Sequence, residues 1–301
     1  MVAILLAAAF PGAQGLSQAA PIPIGAPTNL WNVVSLGSLN TMDYVVDQQT
    51  GQPESDIVGG VGHAAFYWHF DNNGSASNTD GTLSFRARMG GDLGPGGFDN
   101  YLYVGVFADA GDSIDLFIGV KGAGSAANQG IKIWAPGGGA NISPNTTTIN
   151  APASQVSYAK TAANYDWSPV NTPGLDPSLS NSNLDNDGGT DYFLSFSIPF
   201  SAVAAEAQRL AAILITDQTV LRYVLATATN ENSFNQDIGG VPKAYDGNAT
   251  YSSLGTISVA LAPNPPPPPP PPPAIPEPGT VLTTGGALLV VGLLMRCKVR
   301  Q

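Results

Sequence analysis

The chain has 301 residues, 43% of them hydrophobic and only 11% charged, with 35 Gly, 26 Pro and a net charge of −11. So few charges and so many helix breakers exclude an architecture of long charged helices and favour strands joined by turns. The acidic balance excludes nucleic acid as a partner, and two His with a single Cys exclude zinc clusters and any internal disulfide.

Residues 1–19 read as a secretory signal peptide. Val2–Phe10 is an apolar run of the length of an h-region, Pro11 and Gly12 break it, and Ser17 and Ala19 are the small residues before a cut at Ala20. From about 20 to 262 the hydrophobic period is two. Phe66, Trp68 and Phe70 alternate with Tyr67, His69 and Asp71. Leu83, Phe85, Ala87 and Met89 alternate with Ser84, Arg86 and Arg88, and the polar stretch 72–81 is predicted to join these two strands as antiparallel neighbours. Strands at 101–108 and 113–121 flank the turn Asp109-Ala110-Gly111-Asp112, with Ile114, Leu116, Ile118 and Val120 as an inward row. Further strands are expected at 130–134, 191–198 and 221–229, with a short one at 213–216. Residues 201–210 are the one convincing helix, rich in Ala, Glu, Gln and Arg and approached by Pro199. The expected fold class is all-β: a two-sheet antiparallel sandwich, jelly-roll-like, with one short helix.

Two constellations in the body are candidates for binding. Asn183, Asp185, Asp187 and Asp191 place oxygen side chains at positions 1, 3, 5 and 9 of a loop with Gly188 at position 6, the opening spacing of an EF-hand calcium loop. The twelfth position is Leu194 rather than Glu, and the same residues also make an ordinary Asx-rich turn. Calcium is therefore the one cofactor candidate. Tyr67, His69, Arg86 and Arg88 share strand parity and are predicted to form a polar patch on an exposed sheet face, suited to sugar hydroxyls and stacking. The alternative is a solvated face in which Asp71 pairs with an Arg. Nothing catalytic stands out: the body has no Cys, no G-x-S-x-G elbow and no phosphate loop, and its only Glu are Glu54, Glu206 and Glu231.

After the body comes a linker, 263–275, dominated by nine consecutive prolines, Pro265–Pro273. They form an extended rod of roughly 28 Å. Pro276-Glu277-Pro278 then precedes an uncharged run, 281–295, and the basic residues Arg296, Lys298 and Arg300. As a helix the run covers about 23 Å, enough to span a bilayer once its neighbours and snorkelling basic residues are included. The positive-inside rule puts the basic end in the cytoplasm and the body outside.

Residues 276–301 resemble the PEP-CTERM sorting signal of Gram-negative bacteria: a Pro-Glu-Pro triplet, one apolar helix and a basic end. The resemblance implies export through a signal peptide, a membrane hold by the C-terminal helix, and sorting by an exosortase, a membrane transpeptidase partner, in organisms that make extracellular polysaccharide. The body resembles, loosely, secreted jelly-roll domains of the carbohydrate-binding and DOMON type, through 56–71 and the Asp-rich turn before 191–200. The expected function is a non-catalytic exported surface or extracellular-matrix protein. The alternatives are a calcium-assisted carbohydrate-binding module and, behind it, a polysaccharide-cleaving enzyme.

Overall fold

The computed structural model describes residues 22–264, apart from 40–41, 44–46, 48–50, 93, 95–96, 151–155 and 177–181. The predicted signal peptide, most of the proline linker, the triplet Pro276, Glu277 and Pro278, the helix 281–295 and the basic residues Arg296, Lys298 and Arg300 lie outside the described residues. Among the described residues no helix is long and apolar enough to cross a membrane.

Among the described residues, eleven strands and two α-helices follow one another. They are β1 (Asn32–Val33), β2 (Phe66–Asp71), β3 (Thr82–Met89), β4 (Tyr101–Phe107), β5 (Leu116–Lys121), β6 (Gly130–Pro136), β7 (Ile149–Asn150), β8 (Val156–Tyr158), β9 (Tyr165–Pro169), β10 (Tyr192–Pro199), α1 (Phe200–Ala211), β11 (Arg222–Ala228) and α2 (Tyr251–Leu254). One sheet has the order β1-β2-β3-β10-β9. The other has the order β11-β4-β5-β6-β7, with β8 also pairing β6. Every pairing is antiparallel. The arrangement is that of an all-β sandwich. The predicted β2–β3 and β4–β5 neighbours pair as expected. Residues 213–216, predicted as a short strand, form none, while β1, β7, β8 and β9 escaped prediction because two to five residues carry too little periodicity.

The two sheets share one core. Phe66, Phe85, Leu194, Phe196 and Ile198 of the first sheet meet Leu102, Val104, Ile118, Val120, Ile133 and Leu225 of the second. Phe85 is a hinge of this packing: it lies over Phe66 at 5.8 Å and takes Tyr223 of β11 edge-on at 5.3 Å. Such aromatic pairs add about 0.5–1.5 kcal/mol beyond the area they bury. Helix α1 closes one end by burying Phe200, Val203, Ala204 and Ala207. Gly119 lets β5 pass close to β4, since a Cβ there would lie 1.9 Å from the Leu102 carbonyl oxygen.

Neither sheet keeps its back to solvent. Behind the second sheet, Tyr103, Phe107, Phe117 and Trp134 are covered by Phe234, Ile238, Val241 and Tyr251. Ile114 joins this outer layer instead of the inward row predicted for it, because β5 begins only at Leu116. Behind the first sheet, Ile24 and Trp31 from the N-terminal stretch and Val170 and Leu175 from the loop after β9 pack on Tyr67 and Phe193. The two covering stretches are stitched together where the Thr28 amide donates to the Leu175 carbonyl at 2.8 Å.

Candidate functional site

The register of β2, β3 and β10 brings the predicted polar patch together. Tyr67 lies opposite Arg86, His69 opposite Ser84, Arg86 opposite Ser195 and Arg88 opposite Phe193. The expectation of an exposed face is corrected. Tyr67 and His69 are 6% exposed and Arg86 and Arg88 are 0% exposed, because the N-terminal stretch and the 170–176 loop lie on top of them. Alternation within the strands could not reveal this cover, which comes from segments distant in sequence.

Arg86 is held there by its cover. Its Nε donates to Ser195 Oγ at 2.8 Å and its Nη2 to the Ile24 carbonyl at 3.0 Å. Its guanidinium lies 4.4 Å from the Trp31 ring centroid and 5.1 Å from that of Phe193. Burial brings the Arg86 pKa down to about 10, opposed chiefly by the charge of Asp166. Burial likewise pushes the Tyr67 hydroxyl up to about 12. A polar cleft of about 190 Å³ stays open beside this cover, lined by His69, Asp71, Asn73, Thr82, Ser84 and Ser197. Burial lowers the His69 pKa, with Asp71 offsetting part of the effect.

The Asp-rich loop divides its carboxylates between two tasks. Asp185 Oδ1 accepts from the Asp187 amide at 3.3 Å, and Asp187 Oδ1 accepts from the Gly189 amide at 2.6 Å. These are Asx turns, helped by positive φ at Asn186 and Gly188. Asp191 is turned inward instead. Its Oδ2 accepts from Arg88 Nε and Nη2, both at 2.7 Å, and from the Leu184 amide at 3.2 Å. Asp176 Oδ2 completes the network, 3.8 Å from Arg88 Nη1 and 3.7 Å from His63 Nδ1. Asn183 is half-buried and Asp187 exposed. Burial first, then Asp187 and Asp191, raises the Asp185 pKa to about 6.

Three carboxylates converge at another place. Oxygens of Asp47, Asp56 and Asp237, all buried, lie within 4.8 Å of one another. Asp56 follows the 3-10 turn Pro53–Ser55 and leads into Ile57, which bridges Met89 at the end of β3. Asp237 precedes Ile238, which bridges Ala226 of β11. Asp237 accepts from the Ile57 and Ile238 amides, each at 2.7 Å, and Thr227 Oγ1 ties the same corner by donating to the Ser55 carbonyl at 2.6 Å. Nearby, Asp43 accepts from the Gly240 amide at 2.7 Å. The Asp237 carboxyl and the amides of Asp47 and Lys243 lie near the Asp47 carboxylate, but no group meets either of its oxygens in hydrogen-bonding geometry. Burial holds the Asp47 pKa up at about 6 and raises that of Asp237 well above the usual carboxylate range, with Asp43, Asp47 and Asp56 adding to the latter. Asp185 approaches this corner: a Cβ at Gly90 would meet its Oδ2 at 2.7 Å and that of Asp56 at 3.3 Å. In the sequence, residues 235–240 carry no recognisable motif. Their ligand-like partners come from separate loops, so no local spacing marks them.

No family model matches this chain, and no curated protein or solved structure matches it. The reading of the site therefore rests on the geometry alone. The three Glu of the body are engaged in structural contacts. Glu54 accepts from Asn100 at 2.7 Å, Glu206 pairs with Arg209, and Glu231 binds Lys121 and accepts from Trp134 Nε1 at 3.0 Å.

Proposed function

We propose that this chain is a non-catalytic, exported surface or extracellular-matrix protein. In this reading residues 1–19 direct export, the helix 281–295 holds the protein in the membrane, and an exosortase-like transpeptidase sorts it at the triplet Pro276, Glu277 and Pro278. The observation that carries the reading is the order of that C-terminal region: proline rod, Pro-Glu-Pro, apolar run, basic end. The body supports it, since its Glu side chains are engaged with Asn100, Arg209, Lys121 and Trp134. Carboxylates engaged in this way are poorly placed for acid–base work. The test is mass spectrometry of the mature protein from its producing cells. The C-terminal peptide is expected to be missing, and replacing the triplet by alanines is expected to leave it in place. An intact Gln301 on the surface form of the parent chain would sink the sorting reading.

A second reading, carbohydrate recognition, is favoured by the polar cleft of His69, Asp71, Asn73 and Ser84. Arg86, Arg88 and Tyr67 would then support the cleft from beneath the cover instead of touching sugar. Cosedimentation of the protein with polysaccharide from its own source, with sugar release assayed in the same tubes, tests it. Binding that disappears in Asp71→Ala supports recognition, and binding unchanged by that substitution removes the cleft from consideration. Released sugar would move the protein to the polysaccharide-cleaving class.

A further inference from the structure

We propose that Asp47, Asp56 and Asp237 form a calcium site that joins the two sheets. Donor chemistry selects the ion. All three side chains are carboxylates with no His or Cys among them, a hard oxygen set that disfavours zinc. Donor oxygens lying within 4.8 Å of one another are close enough to share one ion, and calcium accepts irregular oxygen coordination at about 2.3–2.6 Å, whereas magnesium demands near-ideal octahedral geometry at about 2.0–2.1 Å and gives up its water reluctantly.

A cluster of acids alone does not make a site. Here Asp47 supplies a separate observation: it is 6% exposed, one of its oxygens faces the other two carboxylates, and neither oxygen meets a donor in hydrogen-bonding geometry. A buried ionised carboxylate left in that state is costly, and a divalent cation supplies what the side chain lacks. Asp237 keeps lone pairs for a metal while its oxygens accept the Ile57 and Ile238 amides. The three ligands come from the N-terminal loop, from the residue that leads into the Ile57–Met89 bridge of the first sheet, and from the residue before the Ile238–Ala226 bridge of the second. Calcium at this point crosslinks segments far apart in sequence. The proposal is independent of the sorting reading.

The test uses the full chain in detergent, with calcium chloride against EGTA and magnesium chloride as the comparison ion. Millimolar calcium is expected to raise the melting temperature by roughly 5 °C or more, with magnesium much weaker, and equilibrium dialysis is expected to count at least one bound calcium. Asp47→Asn is expected to abolish the shift and lose one equivalent. It should melt no lower than the parent in EGTA, because Asp47 makes no hydrogen bond to lose and its charge repels its neighbours. Asp187→Asn, on the other Asp-rich loop, should keep both the shift and the ion. A parent chain that binds no calcium at millimolar concentration overturns the proposal. So does a shift that survives Asp47→Asn and vanishes in Asp187→Asn.

Discussion

The guanidinium of Arg86 lies 4.4 Å from the centroid of the Trp31 ring, with Arg86 fully buried and Trp31 5% exposed. A buried cation with few anionic partners is expensive, and here an aromatic face, a hydroxyl and a carbonyl from the covering stretch replace water. The N-terminal stretch is therefore part of the sheet's polar bookkeeping as well as its apolar cover. Removing it exposes Tyr67 and Phe193 and strips Arg86 of two partners.

Trp31→Ala is expected to cost about 3–5 kcal/mol, the range for deleting a buried aromatic. It should also open the chain around residues 22–31 to protease, while Trp31→Phe retains most of the protection. Urea melts and a timed proteolysis series measure both effects. Equal resistance in parent and Ala variant would mean that the stretch is not held through this contact.

Asp191→Asn should be far more damaging than its neighbours in sequence suggest. It removes the carboxylate that meets Arg88 at 2.7 Å and leaves Asp176, 3.8 Å away, as a weaker counter-charge, a loss of about 3 kcal/mol. Asp187→Asn, on the exposed part of the same loop, should stay within about 0.5 kcal/mol. Denaturant midpoints of the two variants decide whether the loop's carboxylates divide as the geometry has them.

Gly119→Ala tests the packing of β4 against β5. The added methyl would lie 1.9 Å from the Leu102 carbonyl oxygen, in the middle of a sheet that has no room to shift. A loss of about 3 kcal/mol or more is expected. Near-parental stability, read by circular dichroism on heating, would contradict that spacing.

His69 carries a pH dependence of definite sign. Its pKa is lower in the folded chain than in the unfolded one, so the unfolded state takes up the proton first as pH falls. Its stabilising contribution is present above the unfolded value of about 6.5 and is lost as pH drops through it. Carboxyls with raised pKa, Asp185 among them, gain stability over the same interval, so the measurement is a comparison. His69→Gln is expected to lose less stability, or gain more, than the parent between pH 7.5 and 5.5 in urea unfolding. Parallel curves would assign the histidine no such role.

The long strands were legible because their inward residues repeat every second position: Phe66, Trp68 and Phe70 in β2, Leu83, Phe85 and Ala87 in β3. The same alternation misled about Arg86 and Arg88. A polar residue on the back of a strand reads as solvated, yet both are buried beneath segments whose docking has no local pattern. The helix of residues 200–211 was legible from its Ala-rich composition, while α2 has four residues and no such signal. The carboxylate corner was not legible at all, because Asp237 stands some 180 residues from Asp56 and only the tertiary fold brings it to Asp47 and Asp56. Regular spacing betrays an Asx loop such as 183–191, whereas a site that draws one ligand from the far end of the body leaves no trace in one dimension.

The strand order β1-β2-β3-β10-β9 has a consequence for how the chain is made. The first strands to emerge find their last neighbour only when residues 192–199 arrive, and Ile24 meets Arg86 on a sheet that is incomplete until then. Pairing across such separations is slow to nucleate. Until β10 arrives, β3 has β2 on one side and an open edge on the other.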